Sequence, residues 1–477
     1  MEPYNHIAEQ GLQNMASTEL FEKHKPREES YAIGKSKRKT CSRQSHAVWK
    51  AFSGRPDPVD LVIESEKGRT GDLLPLRRGR MVASPFTFYR GSALNMAADL
   101  SATPTPGIRV QCCGDAHLLN FGGFATPERR IILSINDLDE TLPAPWEWDL
   151  KRLTTSFVIA CRENSLSEST ARETALTCTT SYRKHMKEFS EMKRMDFWYS
   201  ALDTKTLLDD IKDLDLKRRV VKRLSQEREK NVSDNLFEKL TEVSGGSVVI
   251  KDKFPEIYHD KSNSSGQVIE ILKNSFSMYR ESLHRASRIL LDNFQLQDAA
   301  LKVVGIGSVG TACWILLLMD GNGESLFLQV KEARASVLER YTDKSEFENE
   351  GHRIVNGYRI MQPYSDIFLG WTRGPVHPGR NFFIRQLRDL KVSFRVETFG
   401  KMEMEIVARW CGWALALSHA RSGDAALISG YMGKSDVFDE AIASFSVAYA
   451  DQNEKVYTVF KRCVQSGKLK AVYPEAN

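Results

Sequence analysis

The feature that most restricts the fold is a glycine loop set between two apolar runs. Val304-Gly305-Ile306-Gly307-Ser308-Val309-Gly310-Thr311 has GxGxxG spacing, which two different kinds of nucleotide site use. In a dinucleotide-binding fold the last glycine opens a helix whose N-terminus carries the pyrophosphate. Here Thr311 leads into Ala-Cys-Trp-Ile-Leu-Leu-Leu-Met and then the turn Gly321-Asn322-Gly323. That order reads as a strand, a hairpin and a return strand over Leu326 to Val330. A strand at Leu301 to Gly305 is expected to precede the loop. No acidic residue ends a second parallel strand about 20 positions on, so NAD-type binding ranks behind the strand–loop–strand reading.

That reading predicts a lysine on the return strand, and Phe327-Leu328-Gln329-Val330-Lys331-Glu332 supplies Lys331. A glycine hairpin lies over a triphosphate while such a lysine neutralises its oxygens. Gly305, Gly307, Ser308, Gly310 and Lys331 are therefore candidate nucleotide-binding residues. Glu350, in an expected helix over 345–361, is a candidate partner of Lys331, with Glu346 and Glu348 competing. Gln386, within the expected strand Phe382 to Leu387, joins the nucleotide-binding set.

A second constellation lies far upstream. Gly114-Asp115-Ala116-His117-Leu118-Leu119-Asn120 sits between short β-rich runs, and the second run ends in Asn136-Asp137-Leu138-Asp139. Phosphoryl transfer needs a carboxylate at the acceptor oxygen and hard oxygen ligands for Mg2+. Asp115 is the candidate acceptor-side base, with His117 beside it. Asn120 and Asp137 are candidate metal ligands, and Asp139 a further ligand or water holder. The alternative assigns Asp115 and Asn120 to turn capping. A metallophosphoesterase would need Gly-Asn-His and His-x-His ligands, and the chain has neither.

Composition narrows the classes further. The 477 residues are 41% apolar, with a formal charge of +5, which permits a sizeable core and argues against nucleic-acid binding as the main task. Eight cysteines with no CxxC pair read as reduced core residues. No run of about 18 apolar residues occurs, so the expectation is a cytoplasmic protein with no membrane partner. Residues 1–44 hold the cluster Lys35, Lys37, Arg38, Lys39 and Arg43 and read as a disordered basic arm.

The blocks SPFTFYRG, GDAHLLNFGGF, INDLDET, WEWDLKRL, KVVGIGSVGT, LFLQVKEA, SDIFLGW, FFIRQLRD, HARSGD and YADQNE, in that order, resemble the bacterial domain-of-unknown-function family 2252. That family is grouped with protein-kinase-like folds, near aminoglycoside phosphotransferases and choline kinases. The resemblance implies an α+β fold of two lobes, with a helix-rich large lobe and a small antiparallel-sheet lobe. The order of the blocks implies circular permutation: GDAHLLN comes first and GIGSVG far downstream. Expected units are a large-lobe segment over 45–300, a nucleotide-binding small lobe over 301–390, and a helical return over 391–477.

Within that picture, helices are expected over 148–162, 268–296, 402–420 and 437–463. The last turn of the 402–420 helix is expected to abut Gly114 in space, and Asp149 to brace the catalytic loop. Arg90 is weighed as a phosphate clamp, and Asp424 as a helix-cap residue or a site residue. The implied activity is ATP- and Mg2+-dependent phosphoryl, or else adenylyl, transfer to an unidentified acceptor. The alternative is a nucleotide-binding module without catalysis.

Overall fold

The structure is a computed structural model that describes residues 25–230, 233–259, 275–303, 305–374, 379–387 and 391–473. Its helical body is organised around the helix Trp146–Glu163, in which every residue from Trp146 to Cys161 is buried. A helix apolar on one stripe only would not tolerate that. Here three of the charged positions, Asp149, Lys151 and Arg152, find partners inside the core. Lys151 donates to Thr103 and lies 4.6 Å from the Phe445 ring centre, and Asp149 and Arg152 are taken up by the site described below. The helices Glu168–Glu191, Lys401–Ser422 and Val437–Gln465 pack around it. Trp146 stacks on Tyr182 at 5.6 Å and meets Phe438 at 5.3 Å. Each such fully buried side chain contributes about 1.5–3 kcal/mol.

Small antiparallel sheets decorate this body. β1 (Arg109–Cys112) pairs with β4 (Leu142–Pro145). β2 (Phe121–Ala125) and β3 (Ile131–Ile135) form a hairpin, which β5 (Leu202–Asp203) extends at one edge. β6 (Thr241–Ser244) and β7 (Ser247–Ile250) form a separate ribbon.

A six-stranded antiparallel sheet follows in the order β12-β13-β11-β10-β9-β8. Its strands are β8 (Ile257–Tyr258), β9 (Gln295–Lys302), β10 (Cys313–Met319), β11 (Ser325–Ala333), β12 (Gly370–Arg373) and β13 (Asn381–Gln386). Period-two alternation assigns its faces. Leu328, Val330, Phe382 and Ile384 pack with Tyr279 and Leu283. Gln329, Lys331 and Arg385 point the other way and line a cleft. β14 (Val392–Ser393) returns to the body and pairs with β2.

The α+β class and the hairpin β10–β11 agree with the sequence reading, but four expectations need correction. Within 1–44, residues 1–24 lie outside the described residues, while Arg27–Ser36 is a helix packed on Ala425–Met432. Its basic cluster is structural there: Arg38 donates to the carbonyls of Gly430 and Tyr431, and Arg43 to that of Met432. Cations at open helix C-terminal carbonyls are favourable, and they leave no apolar period to read. The expected 268–296 helix starts outside the described residues, and helix ends at Leu291. Phe294 and Leu296 continue a helical apolar spacing, but pairing with β10 from Gln295 onward wins.

The third correction follows from the second, since the sheet begins at Ile257, before the expected boundary at 301. The expected strand at Leu301 to Gly305 is the end of β9, and Val304 lies outside the described residues. The fourth is β2 itself, a strand where the sequence reads as loop. Gly122 and Gly123 have low strand propensity yet are in register with Ser134 and Leu133.

Candidate functional site

Between the six-stranded sheet and the helical body lies a cleft of about 700 Å³. Asp115, His117, Asn120, Asp137, Gly305, Gly307, Ser308, Lys331 and Gln386 all line it. The two constellations, far apart in the chain, thus converge on one volume.

β1 ends at Cys112, and the chain then turns sharply at Gly114, where φ is +81°. A Cβ there would sit 2.3 Å from the carbonyl oxygen of Glu140, so only glycine fits. The Asp149 carboxylate accepts from the backbone N–H of Cys113 at 2.5 Å and of Gly114 at 3.0 Å. His419 Nε2 lies 3.2 Å from the same carboxylate, and Tyr182 Oη lies 2.9 Å from His419 Nδ1. The end of the 401–422 helix therefore abuts the turn through Asp149, the arrangement anticipated for both. Cys112, Asp149 and His419 are close enough to hold a metal ion. Both His419 nitrogens and the Asp149 oxygens are already engaged, which marks a structural brace.

One turn along the same helix, Arg152 grips the Asp115 side chain at 2.5 Å and donates to the Tyr89 carbonyl at 3.0 Å. The i,i+3 spacing of Asp149 and Arg152 puts both on one helix face, so one helix holds both the backbone and the carboxylate of this loop. Burial pushes the Asp115 carboxyl up to about 7 against the pull of Arg152. Asn120 donates from Nδ2 to the Asp115 carbonyl at 2.7 Å. His117 is buried 4.0 Å from Asp115 Oδ2. Burial, and then Arg90 and Arg152, hold it neutral, and its Nδ1 has no partner among the described residues.

The loop after β3 brings Asp137 and Asp139 to Lys331. The ammonium is 2.7 Å from Asp139 Oδ2 and 3.5 Å from Asp137 Oδ1, and 5.2 Å from the Phe383 ring centre. Burial opposes charge on all three groups. Burial and the Asp137 charge push Asp139 up to about 7. Burial also acts to raise Asp137, yet Lys331, the hydrogen bond with Asp139 and the charges of Arg385 and Lys391 together outweigh it and hold that carboxyl below its ordinary range. Burial acts to lower Lys331, and the two carboxylates raise it regardless. Asp137 Oδ1 and Asp139 Oδ1 are buried without a hydrogen-bond donor among the described residues. Asp139 Oδ1 is thus left open, Asp137 and Asn120 both line the cleft, and hard oxygen atoms of this kind fit a divalent cation of the Mg2+ type.

Glu350 does not meet Lys331. It pairs with Arg353 at 2.6 Å, and Arg353 donates to the carbonyls of Asp139 and Thr141. Its part is to hold the acidic loop, because Asp137 and Asp139 already satisfy the ammonium. Glu348 lies near Arg373. The glycine loop is also less free than expected. Gly310 accepts from the Thr70 N–H at 2.7 Å, Arg69 donates to the Val309 carbonyl at 2.8 Å, and Ile306 is buried against Phe88 and Phe460. Gly305 and Gly307 remain open on the cleft. Gln386 lines the cleft with its backbone N–H held by Asp366.

Sequence reasoning missed Arg152, Arg385 and Tyr358. Arg385 donates to the Asn136 carbonyl at 3.1 Å and to Tyr358 Oη at 2.9 Å, tying β13 to the acidic loop. The Asp149–Arg152 spacing and the Phe383–Arg385 alternation were the available signals. Arg90 lines the cleft, with its Nε buried and unpartnered among the described residues. Asp424 caps the Ala425–Met432 helix through the Leu427 N–H, so it is structural.

These features define a mixed α+β protein with small antiparallel sheets and one large, charged cleft between sheet and helices. The chain belongs to the family described as an uncharacterized protein conserved in bacteria (DUF2252), which matches over residues 69–463. No curated protein and no solved structure matches it. Among the described residues, no helix is long and apolar enough to cross a membrane.

Proposed function

We propose that the cleft binds ATP with Mg2+ and transfers its terminal phosphoryl group to an acceptor, on a two-lobed, kinase-like fold in permuted chain order. The observation that carries this reading is the Lys331–Asp139–Asp137 cluster, facing Asp115 and the open face of the glycine loop. Arg90, Lys302, Lys331 and Arg385 line the volume, joined by Lys391, Arg395 and Arg223, against Asp115, Asp137 and Asp366. That excess of positive charge suits a polyphosphate. A volume of about 700 Å³ holds a nucleotide with room for a small acceptor.

In this reading Lys331 neutralises the non-transferred phosphates, and Asn120, Asp137 and Asp139 hold the metal, which would neutralise charge developing on the phosphate oxygens. Asp115 takes the proton from the acceptor hydroxyl or amine as that atom bonds to phosphorus. The bond from phosphorus to the ADP oxygen breaks, giving ADP and a phosphorylated acceptor. Arg152 positions Asp115, and Arg90 is placed to clamp the migrating group. The protein acts in the cytoplasm. Adenylyl transfer would use the same metal set.

The grip of Arg152 on Asp115 favours a second reading, a nucleotide-binding module without turnover, because a carboxylate oxygen held by a guanidinium is less available to an acceptor's proton. Thermal denaturation with ATP–Mg2+, ADP–Mg2+, ATP alone and NAD tests the ligand class, since a ligand that favours the folded state raises the midpoint. ATP–Mg2+ is expected to give the largest shift, and a shift with NAD alone would overturn the reading. Asp115→Asn is expected to keep that shift while abolishing ATP-dependent mass gain in a screen of small-molecule extracts. No turnover by the native chain, with the shift intact, selects the second reading.

A further inference from the structure

A second cavity, of about 120 Å³, lies behind the cleft. Ile132, Leu133, Leu208, Val220, Val407 and Trp410 are among its apolar walls. Its polar members are already engaged elsewhere. Thr204 donates its hydroxyl to the Ile131 carbonyl, Glu403 pairs with Arg219 and accepts from the Gly400 N–H, and the Trp410 indole donates to Asp210. The interior is therefore dry, and a dry apolar cavity of about 150 Å³ takes up a ring the size of benzene.

The partition between cavity and cleft is β14 and its flanks. Lys391 and Arg395 line the cleft, Val392 lines the cavity, and Ser393 and Phe394 line both. The segment thus turns its cations to the cleft and Val392 to the cavity, as extended backbone allows. The segment can lie so close to β2 because Gly122 and Gly123 offer no side chain, and a Cβ on Gly123 would be 3.1 Å from Val392. Arg223 borders both volumes and donates to the Ser393 carbonyl at 2.6 Å. Three cations, Arg223, Lys391 and Arg395, thus stand where the apolar cavity meets the polar cleft.

We propose that this junction binds a small anionic amphiphile, with a hydrocarbon group of about four to six carbons in the cavity and its carboxylate or phosphate head among the three cations. Burial of the hydrocarbon supplies affinity, and the cations select the charged head over a neutral one. The three cations also belong to the cleft lining, but the inference does not need the nucleotide reading, because the apolar walls and the probe are different.

The test is calorimetric titration of the full chain, without nucleotide, using hexanoate, hexyl phosphate, acetate and hexanol. Hexanoate or hexyl phosphate is expected to bind at least about tenfold more tightly than acetate and than hexanol, and the stronger of the two names the head group. Val407→Phe, which fills the cavity, is expected to weaken that ligand at least about tenfold. Arg223→Gln is expected to erase most of its advantage over hexanol while leaving hexanol binding in place. That variant leaves the apolar walls of the cavity unchanged, so it carries the test if Val407→Phe does not fold. Equal binding of hexanoate, hexyl phosphate and acetate would overturn the proposal, as would an advantage over hexanol that survives Arg223→Gln.

Discussion

Lys331→Met isolates the electrostatics of the acidic cluster. Lys331 is 4% exposed and is the cation shared by Asp137 and Asp139. Methionine keeps the length and apolar stem but leaves two half-buried carboxylates, 39% and 26% exposed, facing each other. Removing one partner of a buried ion pair costs about 3–5 kcal/mol, because the remaining charge is uncompensated. The loss must depend on pH, and its sign can be worked out. Without the ammonium, both carboxyls sit above their unfolded values. Such groups favour the folded state at low pH, and that contribution fades as pH rises through the raised values. With that cost discounted for the partial exposure of both carboxylates, urea denaturation is therefore expected to show the variant about 2–3 kcal/mol less stable at pH 8, with the gap narrowing toward pH 5 as Asp139, already raised to about 7 in the native chain, takes up a proton. Adding Asp139→Asn to Lys331→Met is expected to restore at least half of the loss. A deficit below about 1 kcal/mol at pH 8, or one of equal size at both pH values, would refute the reasoning.

Two further perturbations probe the supports of the site. Gly114→Ala puts a methyl group 2.3 Å from the Glu140 carbonyl at a φ of +81°, and is expected to cost more than about 2 kcal/mol in thermal denaturation. A neutral result would mean that the turn is looser than described. His259 lies between Asp298 at 3.0 Å and Asp252 at 2.7 Å, and the bond to Asp298 leads in raising it to about 9. A folded value above the unfolded one stabilises fully below about pH 6.5, and this is lost as pH rises through about 9. Allowing for partial exposure, the contribution is about 1 kcal/mol. His259→Gln is expected to remove that slope in denaturation curves between pH 6 and 9, and an unchanged slope would place its origin elsewhere.

Where local pattern and tertiary role coincide, the site can be read from the residues alone. The β10–β11 hairpin follows from an apolar run, a Gly-Asn-Gly turn and a second run, and it fixes Lys331 on the cleft face by alternation. Asp115 and Asn120 share one short loop, so their relation is local. Glu350 is the wrong partner for Lys331 because a lysine on a strand leaves its partner undetermined. The actual partner is the acidic loop, far upstream in the chain. Arg38 and Arg43, just past the Arg27–Ser36 helix, reach carbonyls on a distant helix, an interaction without any period. Asp149 and Arg152 are visible as charges on a helix, but only burial of that helix on all sides reveals that both must serve the loop it carries.

The most direct measurement of the central claim is titration of ATP into the full chain by calorimetry, with and without Mg2+, alongside Asp137→Asn. The account predicts a single saturable site that needs the metal and is lost or greatly weakened in Asp137→Asn. Binding that is indifferent both to Mg2+ and to the substitution, or no binding at all, would contradict it.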